Sequence, residues 1–188
     1  PIFLDVDYAT SQLSKEIVER GLEIYPDAKV VIVVDFAGQP APLLMDLCHQ
    51  KGVKLIADAA HAFPSRLGDR IVGNLADITC FSFYANKTIT TGEGGMLVTN
   101  DDKIADRVRN MRMHGIDRDI WTRFTSEKPS WEYDVIAPGF KYNMPDVNAA
   151  IGLAQLERVE TMRSARQKIA EFYLESLSNI DSIDLPVI

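Results

Sequence analysis

Apolar residues recur along this chain in two rhythms, and the alternation between them predicts a sheet covered by helices. Ile2-Phe3-Leu4-Asp5-Val6 reads as a short opening strand. From Ser11 to Ile24, residues Leu13, Ile17, Val18 and Leu22 fall at helical spacing, with Ser14 as N-cap and Tyr25-Pro26-Asp27 ending the pattern. Lys29 to Asp35 is an unbroken β-branched run, the signature of a strand buried on both faces of a parallel sheet, and Gly38-Gln39-Pro40 closes it. Helical spacing returns over Pro42 to Lys51 through Leu43, Leu44, Leu47 and Cys48, Gly52 is placed to stop it, and Val53 to Asp58 is a further strand. Strand, helix and strand with short joints is the βαβ pattern, so the chain is expected to be α/β with a mostly parallel sheet and covering helices. Functional groups then gather at the C-terminal ends of strands.

Ile78 to Phe83 is the next strand, and the 12 mostly turn-forming residues before Met96 are marginal for a helical crossover. Met96 to Thr99 is therefore expected to return antiparallel. Asn100-Asp101-Asp102 caps a helix whose stripe is Ile104, Val108 and Met111 and which ends at Gly115, with Arg107, Arg109 and Arg112 on its solvated faces. Ile116 to Gly139 is an irregular excursion carrying Trp121, Phe124, Trp131 and Tyr133, aromatics that argue for an ordered segment. Pro145 to Ile180 is one long helix or two joined ones.

Candidate chemistry centres on the loop after the Ile78–Phe83 strand. Lys87 lies just past the strand end, and Gly92, Gly94 and Gly95 allow tight turns around it. A lysine held there in a partly desolvated place serves as nucleophile or base; read from the loop alone, a solvated lysine is the plainer reading. Asp58, at the preceding strand end and followed by Ala59-Ala60-His61, faces the same crevice in this reading. With 188 residues the chain suits one domain with a real core, and its net charge of -7 argues against nucleic acid as main partner. Cys48 and Cys80 lie in apolar runs without metal-ligand spacing, which suggests buried thiols in a reducing compartment and no metal site. No run approaches a membrane span and no export signal is visible, so a cytoplasmic location is expected and the Asn86-Lys87-Thr88 glycosylation match is read as coincidence.

Read together, Asp58-Ala59-Ala60-His61, the Ser82 to Gly95 run and Gly139-Phe140-Lys141-Tyr142-Asn143-Met144-Pro145-Asp146 resemble, in order and spacing, the sugar aminotransferases of the DegT/DnrJ/EryC1/StrS family. The resemblance runs from Phe36-Ala37-Gly38-Gln39-Pro40 to the Gln155-Leu156 helix and leans toward the branch making UDP-4-amino-4-deoxy-L-arabinose. It implies the aspartate aminotransferase fold (fold type I) and pyridoxal 5′-phosphate (PLP) as cofactor. The implied activity is transfer of an amino group from glutamate, which becomes 2-oxoglutarate, to a nucleotide-linked ketosugar. Lys87 then forms the internal aldimine and moves a proton as base and acid, while Asp58 pairs with the pyridine nitrogen. Ala60 packs on the cofactor ring, His61 lies near its phenolic oxygen, and Ser82 binds its phosphate. Asn143 reaches the phosphate of the other subunit, which implies a homodimer with shared sites; a helix N-cap is the plain alternative for that residue.

The same resemblance implies an interior fragment: residues 1–180 as a segment of the large cofactor domain and 181–188 as the start of a connection to a small C-terminal domain, with an N-terminal phosphate-binding part absent. A dehydratase of the same fold is the nearest rival, but in that branch a histidine replaces the lysine, and Lys87 argues against it. A catalytically idle binding or regulatory homologue is disfavoured by the presence of Lys87, Asp58, His61 and Ser82 together. A nucleotide-binding domain is weaker still, since neither GxGxxG nor GxxxxGK[ST] occurs.

Overall fold

In the computed structural model, which describes residues 1–117 and 133–187, the chain forms two compact units, one of Pro1–Val98 with Asp146–Ile188 and one of Thr99–Pro145. The first contains helix α1 (Lys15–Ile24), strand β1 (Val30–Val34), a single 3-10 turn (Phe36–Gly38), α2 (Met45–Gln50), β2 (Lys54–Asp58), a small antiparallel pair β3 (Arg66–Leu67) and β4 (Arg70–Ile71), and β5 (Ile78–Ser82). It continues through β6 (Gly95–Thr99) and ends with α4 (Asp146–Leu156) and α5 (Val159–Leu177); α3 (Asp102–Met111) lies in the second unit.

The main sheet has the order β1-β2-β5-β6. β2 runs parallel to both β1 and β5, in a register that sets Val34 beside Asp58 and Asp58 beside Cys80. Three parallel strands therefore end abreast, which brings residues distant in sequence to one rim. The chain then doubles back. Phe83 N–H donates to the Gly94 carbonyl at 2.9 Å. A Cβ on Gly95 would stand 2.7 Å from the Phe81 carbonyl oxygen. Rising numbers on one strand meet falling numbers on the other, the antiparallel sense expected of β6, and no side chain fits where the two backbones meet at Gly95.

One face of the sheet carries the core. Val31, Val33, Leu55 and Ala57 pack with Val18 and Leu22 of α1 and with Leu44, Leu47 and Cys48 at α2. Full burial of each large aliphatic side chain contributes about 1.5–3 kcal/mol. The expectation that the Lys29–Asp35 run is buried on both faces is corrected here: Val30, Ile32 and Val34 are 45%, 61% and 48% exposed. α1 and α2 cover one face, and a run of β-branched residues does not by itself say how many faces find a partner.

The opening segment corrects a second expectation. Ile2 to Val6 forms no strand. Leu4 lies against Gly21 of α1, within 2.8 Å of where a Cβ on that glycine would stand, while Ile2, Phe3 and Val6 stay exposed. A short apolar run becomes a strand only when a neighbour accepts its backbone bonds. α1 starts directly after the expected cap, while the preceding Asp7 to Gln12 close a turn of their own through the Asp7 N–H to Gln12 carbonyl bond. Ser14 is the cap, its hydroxyl accepting from Ile17 N–H.

In the second unit α3 starts at the expected place, with the Asp101 carboxylate accepting from Lys103 and Ile104 N–H. Gly115 follows at φ +71°, its N–H bonded to the Asn110 carbonyl. Bridges pair Met113 with Lys141 and Ile116 with Val135, and Phe140 stacks on Tyr142 at 4.9 Å between ring centres. Of the aromatic excursion, Trp121, Phe124 and Trp131 lie outside the described residues, and Tyr133 is exposed. Pro145 to Ile180 resolves into two helices, α4 and α5.

Candidate functional site

The C-terminal ends of β2 and β5 frame a cavity of about 190 Å³, among whose lining residues are Ala60, His61, Ser82, Lys87, Asn86 and Arg166. Four residues singled out from the sequence are thus brought together. Two are not. Asp58 stands at the end of β2, exposed and outside the lining, its Oδ1 accepting from Ala60 N–H at 3.1 Å. Asn143 belongs to the second unit, where its amide oxygen accepts from Lys141 Nζ. The helix-cap alternative for Asn143 is corrected, because α4 begins three residues later, at Asp146.

Lys87 is half-buried and held by its backbone, with its N–H donating to the Tyr84 carbonyl at 3.1 Å. The loop around it is closed at its base by one residue: the Phe83 carbonyl accepts from both Thr91 N–H and the Thr90 hydroxyl, and Phe83 N–H donates to Gly94. Ile89 and Thr91 are buried at 4% and 2% exposure, so this glycine-rich loop is packed where the sequence left a solvated one open. Among the described residues the Lys87 ammonium makes no ion pair. The Ser82 hydroxyl oxygen accepts from Tyr84 N–H at 3.3 Å, which leaves its hydrogen for a ligand.

The opposite wall comes from the loop after β1. Ala37 lines the cavity at φ +55°, a conformation costing a non-glycine residue about 1–2 kcal/mol. Three bonds hold it there. The Asp35 carboxylate accepts from Ala41 N–H at 2.8 Å, the Gln12 amide donates to the Gln39 carbonyl at 2.6 Å, and the Ser65 hydroxyl donates to the Gly38 carbonyl at 2.7 Å. Burial pushes the Asp35 carboxyl up from its usual range; the Ala41 N–H draws it back, and the nearby Asp58 charge adds to the rise. Burial likewise raises the Cys80 thiol, with Asp58 adding to it, and both cysteines are free thiols. His61 tilts against Phe36 at 6.2 Å between ring centres.

Sequence reasoning missed Arg166 and Ala37. Arg166 sits on α5, more than seventy residues beyond Lys87, and carries no local signal among the other cations of that helix. Ala37 gave a weak one, as a turn residue beside Gly38. Among the described residues no cluster of three or more histidine, cysteine or acidic side chains is placed to hold a metal, and no helix is long and apolar enough to cross a membrane.

Comparison with known proteins places this geometry. The model of the DegT/DnrJ/EryC1/StrS aminotransferase family matches residues 1–187. The spore coat polysaccharide biosynthesis protein SpsC of Bacillus subtilis is 37% identical over 100% of this chain and 48% of its own length. Among solved structures, the aminotransferase TlmJ from Streptoalloteichus hindustanus superposes with a TM-score of 0.88 at 35% identity, over 100% of this chain and 48% of TlmJ. Spr1654 from Streptococcus pneumoniae, a candidate sugar aminotransferase solved in a PLP form, superposes with a TM-score of 0.81 at 26% identity, over 95% of this chain and 48% of its own. The chain spans about half the length of the proteins it matches.

Proposed function

Because the chain belongs to the DegT/DnrJ/EryC1/StrS aminotransferase family, we propose that the full-length protein is a cytoplasmic PLP-dependent enzyme that moves an amino group from glutamate to a nucleotide-linked ketosugar. The observation that carries this reading is Lys87, half-buried at a cavity it shares with Ala60, His61 and Ser82. The groups present fit PLP by their chemistry. Among the described residues the primary amine has no carboxylate partner and is available for covalent attachment, the Ser82 hydroxyl can donate to a phosphate, and a carboxylate stands at the adjoining strand end. When bound, PLP supplies an electron sink for the pair left on carbon as a C–H bond breaks.

The chain's own groups do the rest. The Lys87 amine would hold the cofactor between turnovers and, once displaced, would take up and return the proton that leaves the substrate carbon. The Asp58 carboxylate would pair with the pyridine nitrogen and favour its protonated form. Ala60 and His61, which line the cavity, would lie against the ring, and the Ser82 hydroxyl would donate to the phosphate. A cavity of about 190 Å³ falls below the roughly 300–1,000 Å³ usual for small-molecule sites, which supports a site completed by further chain. In this reading residues 1–180 are a segment of the large domain and 181–188 lead to a smaller one.

Turnover by the full-length protein of a panel of nucleotide-4-ketosugars with glutamate, read as 2-oxoglutarate formed, tests the substrate class. Activity confined to free amino acids and keto acids would overturn it. The reading also places Asn143 at the partner subunit's cofactor phosphate. Mixing an inactive Lys87→Ala protein with an inactive Asn143→Ala protein is then expected to restore about a quarter of normal activity, since half the dimers are mixed and one of their two sites is intact. No rescue despite verified subunit exchange would place Asn143 at its own subunit's site or away from it.

A further inference from the structure

Helix α4 touches the lysine loop through side chains that no part of the proposed chemistry uses. The Gln155 Oε1 accepts from Thr90 N–H at 2.9 Å. From the same helix, Asn148 Nδ2 donates to the Thr91 carbonyl at 2.7 Å and to the Glu93 carbonyl at 3.2 Å. Asn148 and Gln155 are seven residues apart, two helical turns, so they project from one face. Gly152 lies between them on that face. A Cβ there would stand 2.9 Å from the Thr91 methyl, so the helix backbone presses on the loop where it has no side chain.

These contacts matter because of what they hold. Lys87 carries its amine on a flexible four-carbon stem, and among the described residues the loop's bonds from Phe83 to Thr90, Thr91 and Gly94 are internal to the hairpin. The bonds from α4 bridge 65 and 57 residues and fix the loop against a separate, rigid element. A loop free to rock by an ångström would misplace the amine by more than proton transfer tolerates.

We propose that Asn148 and Gln155, with Gly152 as the gap between them, are positioning residues that hold the Thr90–Glu93 backbone and thereby set where the Lys87 amine stands. The inference rests on the reading of Lys87 given above. The polarity of the bonds makes it testable. Gln155 must accept, so Gln155→Glu keeps its bond to Thr90 N–H while Gln155→Ala loses it. Asn148 must donate, so Asn148→Asp sets a carboxylate against two carbonyls.

The experiment uses the full-length protein with PLP and measures three things for each variant: amide exchange at Thr90 and Gly92, the pH midpoint of the cofactor's absorbance, and kcat and KM, with thermal melting as control. Gln155→Ala and Asn148→Asp are expected to speed exchange at Thr90, move the absorbance midpoint and lower kcat about 10²-fold with little change in sugar KM, while Gln155→Glu stays near the parent. Equal behaviour of Gln155→Ala and Gln155→Glu, or a parent-like midpoint and kcat in Asn148→Asp, overturns the proposal. If Asn148→Asp does not fold, the Gln155 pair carries the test alone. Exchange at Thr90 needs no cofactor: if PLP is found on a lysine other than Lys87, the reading of Lys87 fails, and the exchange comparison still decides whether α4 holds the loop.

Discussion

Lys87→Ala in the full-length protein is expected to abolish covalent retention of PLP and to cut transamination at least about 10³-fold. One side chain performs two duties in the proposed reaction, and positioned proton transfer alone is worth about 10²–10⁴-fold. The loss should not come from unfolding. The loop is closed by backbone and threonine bonds at Phe83, and the Lys87 bond within it is made by its N–H, which alanine keeps. Stability is therefore expected to stay within about 0.5 kcal/mol of the parent. Borohydride reduction of the parent followed by peptide mapping should find the cofactor on Lys87, with no label retained in the variant. Label on another lysine, or turnover surviving the substitution, would remove Lys87 from the chemistry.

Asp58→Asn is the second large effect, and here the structure separates two roles of one carboxylate. Its Oδ1 accepts from Ala60 N–H, a bond an asparagine carbonyl makes equally well, so the turn leading to Ala60 and His61 should survive. What asparagine lacks is the charge. A hydrogen bond to a charged partner is worth about 1.5–3 kcal/mol, so losing the anion opposite a protonated pyridine nitrogen should lower kcat by about 10- to 100-fold with unchanged melting. A variant that keeps near-normal turnover would leave Asp58 with its turn and nothing more.

The parts of this molecule that could be read from residues in a row are those whose causes are local. Ser14 and Asp101 cap helices because a short oxygen acceptor stands before an apolar stripe, and both were legible as caps. The Val30–Val34 and Lys54–Asp58 strands and the return of β6 followed from β-branched runs and from a connection too short for a helical crossover. The β3–β4 pair was missed, since two-residue strands around Gly68-Asp69 leave almost no periodicity.

The sequence by itself determined the family, through motifs at Asp58, Lys87 and Asn143 whose order survives without any knowledge of packing, and through the βαβ rhythm that sets strand ends in one row. Only the tertiary structure decided which side chains meet. It left Val30, Ile32 and Val34 exposed where the pattern implied burial, because hydrophobicity marks a face as able to be covered and cannot say whether a helix arrives. It kept Asp58 out of the cavity lining and brought in Arg166 from α5, a residue with no signal of its own. It joined Asn148 and Gln155 to a loop more than fifty residues away. Spacing along a chain encodes which residues share an element's face; what that face lies against depends on long-range closure, which the local order of residues does not carry.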